Sequence, residues 1–192
     1  MNRGVAVSDK TCTMLDQVRE CFGKVSWSHK THECQASIYF TYHNILLWCR
    51  IILSALAAGS GVVTLLRAST ASVVTAVSST LVLVIDLVFK DHSFADRAVA
   101  HQATATRLWR IRESYFTLIA ELLSDNKTED DSQLREKIEN LADELQDVYL
   151  SAPRTTQTAY IQASKKLKGG ECCCTDEEVD GLLPPGLRKS HA

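Results

Sequence analysis

Arg50 and Asp86 are charges set inside long apolar runs, and the residues sharing a helical face with them are small or hydroxylic. At 100° per residue, Arg50, Ser54, Ala57, Gly61 and Thr64 fall within an arc of roughly 80°, and Ser72, Thr75, Ser79, Val82 and Asp86 within one of about the same width. Two kinds of chemistry suit such faces. Small residues let helix backbones approach closely, so each stripe is a candidate packing seam. Hydroxyls can also replace water contacts, so Arg50, Ser54, Gly61, Thr64, Ser72, Thr75, Ser79 and Asp86 are equally candidates to line an aqueous path once several copies assemble. Arg50 and Asp86 stand within about one helical turn of the same depth, which leaves three options: an ion pair, Arg50 snorkelling to the interface, or a path in which Asp86 favours cations and Arg50 anions.

Other reactive side chains offer less. His29 and His32 lie three apart beside Glu33 with no third ligand in view, so they read as solvent-exposed residues of a polar helix and no metal site is expected. His101 reads as a packed, hydrogen-bonded residue of a bundle. Cys172, Cys173 and Cys174 cannot supply tetrahedral metal geometry by themselves; they are either reduced thiols of a tail or, near a membrane, acceptors for lipidation. Seven cysteines without paired spacing give no disulfide framework. With no glycine-rich phosphate loop, nucleophile elbow or zinc-hydrolase helix, neither an enzyme nor a cofactor is expected.

The polar faces need helices to carry them, and two apolar runs provide these: Ile45 to Leu66 and Ala71 to Phe89, separated by Arg67, Ala68, Ser69 and Thr70. At 1.5 Å per residue they extend roughly 33 Å and 28 Å, against a hydrocarbon core of about 30 Å. No charge interrupts Ile51 to Leu66 or Ala68 to Ile85. The short connection enforces an antiparallel return, so the pair reads as a transmembrane hairpin. A soluble bundle is the alternative, but its helices seldom stay apolar on every face over this length. Lys24 and Lys30 precede the hairpin and Lys90, Arg97 and Arg107 follow it, which places both termini in the cytoplasm. The charged first 44 residues hold no cleavable signal, so the first span is expected to serve as its own insertion signal.

Beyond the spans the pattern remains helical. Neither Gly nor Pro occurs between Gly61 and Pro153, so one helix is expected from about Ala71 to Leu123. Its emerging half carries an apolar stripe through Phe94, Ala98, His101, Ala105, Leu108, Arg112, Tyr115, Ile119 and Leu122. Leu134, Ile138, Leu141, Leu145 and Val148 form the seam of a helix that starts near Asp131 or Ser132 and is closed by Pro153. A last docked helix is expected over 155–167 through Tyr160, Ile161, Ala163 and Leu167. Upstream, about Thr11 to Tyr42 is expected to be helical as well, interrupted near Gly23, with a cytoplasmic helix over 24–44 and a flexible segment at 1–20. Gly169-Gly170, the cysteines, acidic residues and Pro184-Pro185 mark 169–192 as a disordered tail.

A net charge of −2 without a concentrated basic surface argues against nucleic acid as a partner. The expected partners are the lipid bilayer and further copies of the chain. The acidic helix from Glu129 to Asp147 leaves room for a second reading, a membrane-anchored scaffold that recruits a soluble, basic partner.

This order of features resembles a known family. The amphipathic helix from Lys24 to His43, a first span with Leu53-Ser54-Ala55, a short turn, a second span leading into Phe94, Ala98, His101, Ala105 and Leu108, and a glutamate-rich helix reaching Ala152-Pro153 are similar to the SLATT domain, the SMODS and SLOG-associating two-transmembrane effector domain. The resemblance runs from about Cys21 to Lys168. It implies an all-α integral membrane fold, a hairpin with a cytoplasmic helical bundle, and a pore-forming or membrane-perturbing effector triggered by a nucleotide signal. The 192 residues contain no SMODS or SLOG domain, so a separate nucleotide-sensing partner is expected from the resemblance.

Overall fold

The structure, a computed structural model, describes residues 3–64, 69–91, 93–123 and 131–171, and their side chains except at 3–13, 62–64, 69–70, 91 and 131. It is all-α, with no strand among the described residues. In order, the helices are α1 (Arg3–Thr64), α2 (Ser69–Asp91), α3 (Phe94–Leu123), α4 (Asp131–Ser151) and α5 (Gln157–Lys168). They form two compact units, one of Met1–Cys34 with Ala105–Ala192 and one of Gln35–Thr104, so α1 and α3 each contribute to both.

The first unit is a helical bundle. Met14, Val18 and Val25 of α1, Leu108, Ile111, Tyr115, Leu118 and Leu122 of α3, and Leu134, Ile138 and Val148 of α4 make its core. The α4 seam is the expected one, with Leu141 and Leu145 packed at its edge. On α3 the buried line runs through Ile111 and Leu118, leaving Arg112 half-buried and Ile119 packed on the core's edge.

Burial of Met14 and of fully enclosed Val18 places 14–20 in the bundle rather than in the flexible segment expected at 1–20: their spacing of four, and of seven on to Val25, puts all three on one side of a helix. Nor is the helix interrupted at Gly23, where a Cβ would meet nothing within 4 Å. A glycine in mid-helix costs about 1 kcal/mol, which the flanking core contacts outweigh. Pre-span helix and first span are accordingly one element of 62 residues.

α5 begins at Thr156, whose hydroxyl accepts from the Ala159 amide, and ends at Gly169. Gly170, at φ +80, takes the left-handed conformation that turns the chain away from the helix. This helix docks through fully buried Ala159 and Ala163, while Tyr160 and Ile161 are 46% and 58% exposed. Small residues bring the α5 backbone close, and Tyr160 then meets the Trp27 ring from the side at 5.5 Å.

Against the expectation of solvent exposure, His29 and His32 are buried. His29 Nδ1 hydrogen-bonds to the Ala105 carbonyl at 2.9 Å and its ring lies 5.5 Å from Trp109. Lys30 is buried beside them and held by Glu33 at 3.0 Å and Glu171 at 3.3 Å. Burial pulls its pKa down, but the two carboxylates outweigh this and the net shift is upward. Burial also pushes up the Cys34 thiol, which makes it a poor nucleophile.

The second unit contains the hairpin. Among the described residues α2 runs to Asp91 and α3 from Phe94, with the Ser93 carbonyl accepting from Arg97 N at 3.0 Å, and the apolar stretch expected from Ala71 extends to Leu123. Ser93-Phe94-Ala95-Asp96 has the spacing of a capping box, with Asp96 in the first turn where the dipole favours it. Tyr39 packs on Phe94 and His101, Tyr42 on Phe94, and His43 on Phe89, with ring centroids 5.4–6.2 Å apart. His101 is buried, which lowers its pKa and favours the neutral ring.

Candidate functional site

The two apolar stretches are long enough to cross a bilayer, and their most apolar eighteen residues are only 0% and 6% buried within the protein. Core helices of a soluble bundle would be covered. Here Trp48, Ile52, Val73, Leu83 and Leu87 are each more than half exposed. Such surface is stable only against lipid or other apolar partners.

Between the spans runs a narrow contact seam. On α1 it passes through His43, Leu46, Leu53, Ala57 and Ser60, all half-buried; on α2 it passes through Ala71, Thr75, Ser78, Val82, Ile85 and Phe89. Ala71 and Ser78 are its buried members. Small side chains near the turn allow the backbones to approach, as close packing in lipid requires.

Two polar contacts bridge the seam. Arg50 Nε lies 2.9 Å from Asp86 Oδ1, with the side chains 52% and 39% exposed, so the ion pair is the option the geometry adopts. Ser60 Oγ and Thr75 Oγ1 are 2.7 Å apart. Thr75 also donates to the Ala71 carbonyl at 2.9 Å, which leaves the Ser60 hydroxyl to donate to Thr75 or to Leu56 O at 2.7 Å. Hydroxyls that bond back into their own helix are satisfied without water, as an apolar surrounding demands.

The eight residues singled out on the two faces are therefore divided. Arg50, Asp86 and Thr75 join the spans, and Gly61 is half-buried with open space beside its Cα. Ser54, Ser72 and Ser79 are exposed. The side chain of Thr64 lies outside the described residues, as do Cys172, Cys173 and Cys174. Ser60 and Ser78 lie off the faces that carry the ionisable residues, because the seam is rotated from those faces by roughly 30° on α1 and 60° on α2 at 100° per residue. The spacing that could have found them is the three, seven, four and three of 43, 46, 53, 57, 60 and the alternating four and three of 71, 75, 78, 82, 85, 89.

In an antiparallel pair, rotations of the same sense seen from each N-terminus lead to the same side of the contact. Arg50, Ser54 and Gly61 are offset from the α1 seam in the same sense as Ser72, Ser79 and Asp86 from the α2 seam. Counted from the turn, Gly61 stands level with Ser72, Ser54 with Ser79, and Arg50 with Asp86. One flank of the hairpin thus carries three polar or small rungs, the lowest being the ion pair.

No curated protein and no solved structure matches the chain. The sequence model of the SMODS and SLOG-associating 2TM effector domain family 4 matches residues 14–178. That match reaches upstream to Met14, where the helical core begins, and takes in both spans, α3, α4 and α5. With the hairpin and this coverage together, the chain is an integral membrane protein with two spans and belongs to the SMODS and SLOG-associating 2TM effector domain family 4.

Proposed function

We propose that this membrane effector works as an oligomer that opens a pore or perturbs the bilayer, with its helical bundle on the cytoplasmic side and its opening set by a separate nucleotide-sensing chain. The observation that carries the reading is the flank of Ser54, Ser72 and Ser79 above the Arg50–Asp86 pair. An exposed face of small hydroxylic residues lets copies that meet along this flank pack closely or hold water between them. A hairpin alone encloses no path, so assembly is a requirement of the reading. Because Asp86 is neutralised by Arg50, the path is lined by hydroxyls and no net charge, and weak ion selectivity is expected.

The test is the conductance of the purified chain in planar bilayers, combined with single cysteines at Ser54, Ser72, Ser79 and, as a lipid-facing control, Leu83. Discrete currents blocked by a water-soluble thiol reagent at the three serine positions but not at Leu83 support the reading. Absence of currents in any assembled state overturns it.

A further inference from the structure

We infer that the bundle unit carries the contact that closes such an assembly: the outer face of α1 and α3 of one copy receives the α4 ridge of its neighbour. This rests on the oligomeric reading above and adds which surfaces meet. Besides its buried line, α3 presents Trp109, Phe116 and Leu123, seven residues apart and 47%, 58% and 64% exposed. Between them the Arg112 guanidinium lies over the Trp109 ring at 4.7 Å and over Phe22 of α1 at 5.7 Å. Arg19, one turn before Phe22, is the exposed cation of this face, while Arg112 is only 16% exposed and lies 3.8 Å from Glu113. Exposed Trp, Phe and Arg in one patch is the composition of an interface centre.

What covers this face follows from charge. A parallel contact with the same face of a second copy would oppose exposed Arg19 to Arg19, at the cost of like-charge repulsion. The exposed ridge of α4 has the opposite sign, with Glu136, Glu139, Asp143 and Asp147, and ends at Leu150, which is 78% exposed. Such a head-to-tail contact between unlike faces is also what a closed ring needs.

Register supports the pairing. Arg107 meets Ser151, Arg110 meets Glu144 and Lys137 meets Glu121 within the bundle, which fixes the levels of α3 against α4. Phe22 on Phe116 and His29 on Trp109 fix α1 in the same way. In a ring whose axis runs along the bundle, a neighbour is displaced sideways without a change of level. Arg112 then faces Asp143 and Asp147, Arg19 faces Glu136 and Glu139, and Trp109 faces Leu150.

The experiment uses the full chain reconstituted in lipid nanodiscs or vesicles, its subunit count read by native mass spectrometry and by crosslinking. Leu150→Asp and Arg19→Glu are exposed substitutions away from the core and should each raise the concentration for half-assembly by roughly tenfold or more. Glu139→Arg combined with Arg19→Glu should restore most of it, and circular dichroism should stay unchanged throughout. An oligomeric wild type whose assembly ignores both single variants, or is lost without rescue by the charge swap, overturns this interface and leaves the oligomeric reading standing. A wild type that is monomeric in membranes overturns both.

Discussion

Removing either member of the Arg50–Asp86 pair should destabilise the hairpin unequally, and the inequality tests where the pair sits. Arg50 lies fourteen residues before the end of α1 at Thr64, and Asp86 seventeen after the start of α2 at Ser69. Those are about 21 Å and 26 Å of helix against a hydrocarbon thickness of about 30 Å, so with the turn at one face the pair lies just inside the other. Its exposed surface, 52% and 39% of the two side chains, then faces acyl chains and headgroups rather than bulk water. A pair in water is worth about 0–1 kcal/mol, whereas a lone charge at mid-membrane costs about 2.5–3.5 kcal/mol. In Asp86→Asn the orphaned arginine can snorkel outward, which limits the cost to about 1 kcal/mol. In Arg50→Gln the short Asp86 side chain cannot, and about 1–2 kcal/mol is expected, below the mid-membrane cost because the pair lies just inside the interface. The double variant should lose no more than the milder single one, a coupling of about 1–2 kcal/mol. The assay is a double-variant cycle by denaturant-detergent titration in mixed micelles, following helical circular dichroism. Additive losses within about 0.5 kcal/mol, or a larger loss for Asp86→Asn than for Arg50→Gln, would refute the argument.

Other perturbations act on single contacts. Thr75→Val deletes the 2.7 Å bond to Ser60 and should cost the hairpin about 0.6 kcal/mol in the same titration, since interhelical hydroxyl bonds in lipid are of that size. Ile111→Ala, at a fully buried core position, should cost about 2–5 kcal/mol and expose the bundle to limited proteolysis while the chain stays with the membrane after alkaline extraction. Burial, reinforced by Cys21, pushes Tyr115 up to about 12, from 10 in the unfolded chain. The stability it contributes is complete below pH 10 and is lost as pH rises toward 12, about 3 kcal/mol in all. Alkaline unfolding followed by circular dichroism should therefore be steeper in the wild type than in Tyr115→Phe over that window.

How much was legible depended on whether one element or several had to be known. The α4 seam from Leu134 to Val148 and the start at Asp131 emerged from local caps and spacing alone. The hairpin emerged from run length, because a bilayer covers a helix on all sides and needs no partner pattern. The stretch at His29 and Lys30 was opaque for the opposite reason. Its polar side chains are buried because Ala105 and Trp109 of α3 meet it on one side while Glu171, beyond α5, meets it on another, and no hydropathy pattern within α1 encodes that enclosure. α5 misled similarly: Tyr160 and Ile161 have the hydrophobicity, but Ala159 and Ala163 have the size that close docking requires.

The ion pair also changes what the polar face can do. Had Asp86 stood alone, a ring of copies would present a ring of carboxylates and select cations by charge. Paired with Arg50 at 2.9 Å, it presents a dipole whose two ends lie at one level, and the field along the path largely cancels. Discrimination must then come from width and from the hydroxyls of Ser54, Ser72 and Ser79, which treat cations and anions alike because a hydroxyl both donates and accepts. Effectors that act by dissipating gradients have no need to choose an ion. On the proposed reading the pair is accordingly a fastening of the hairpin, and Asp86→Asn should move selectivity toward anions by releasing Arg50 rather than by removing a cation site.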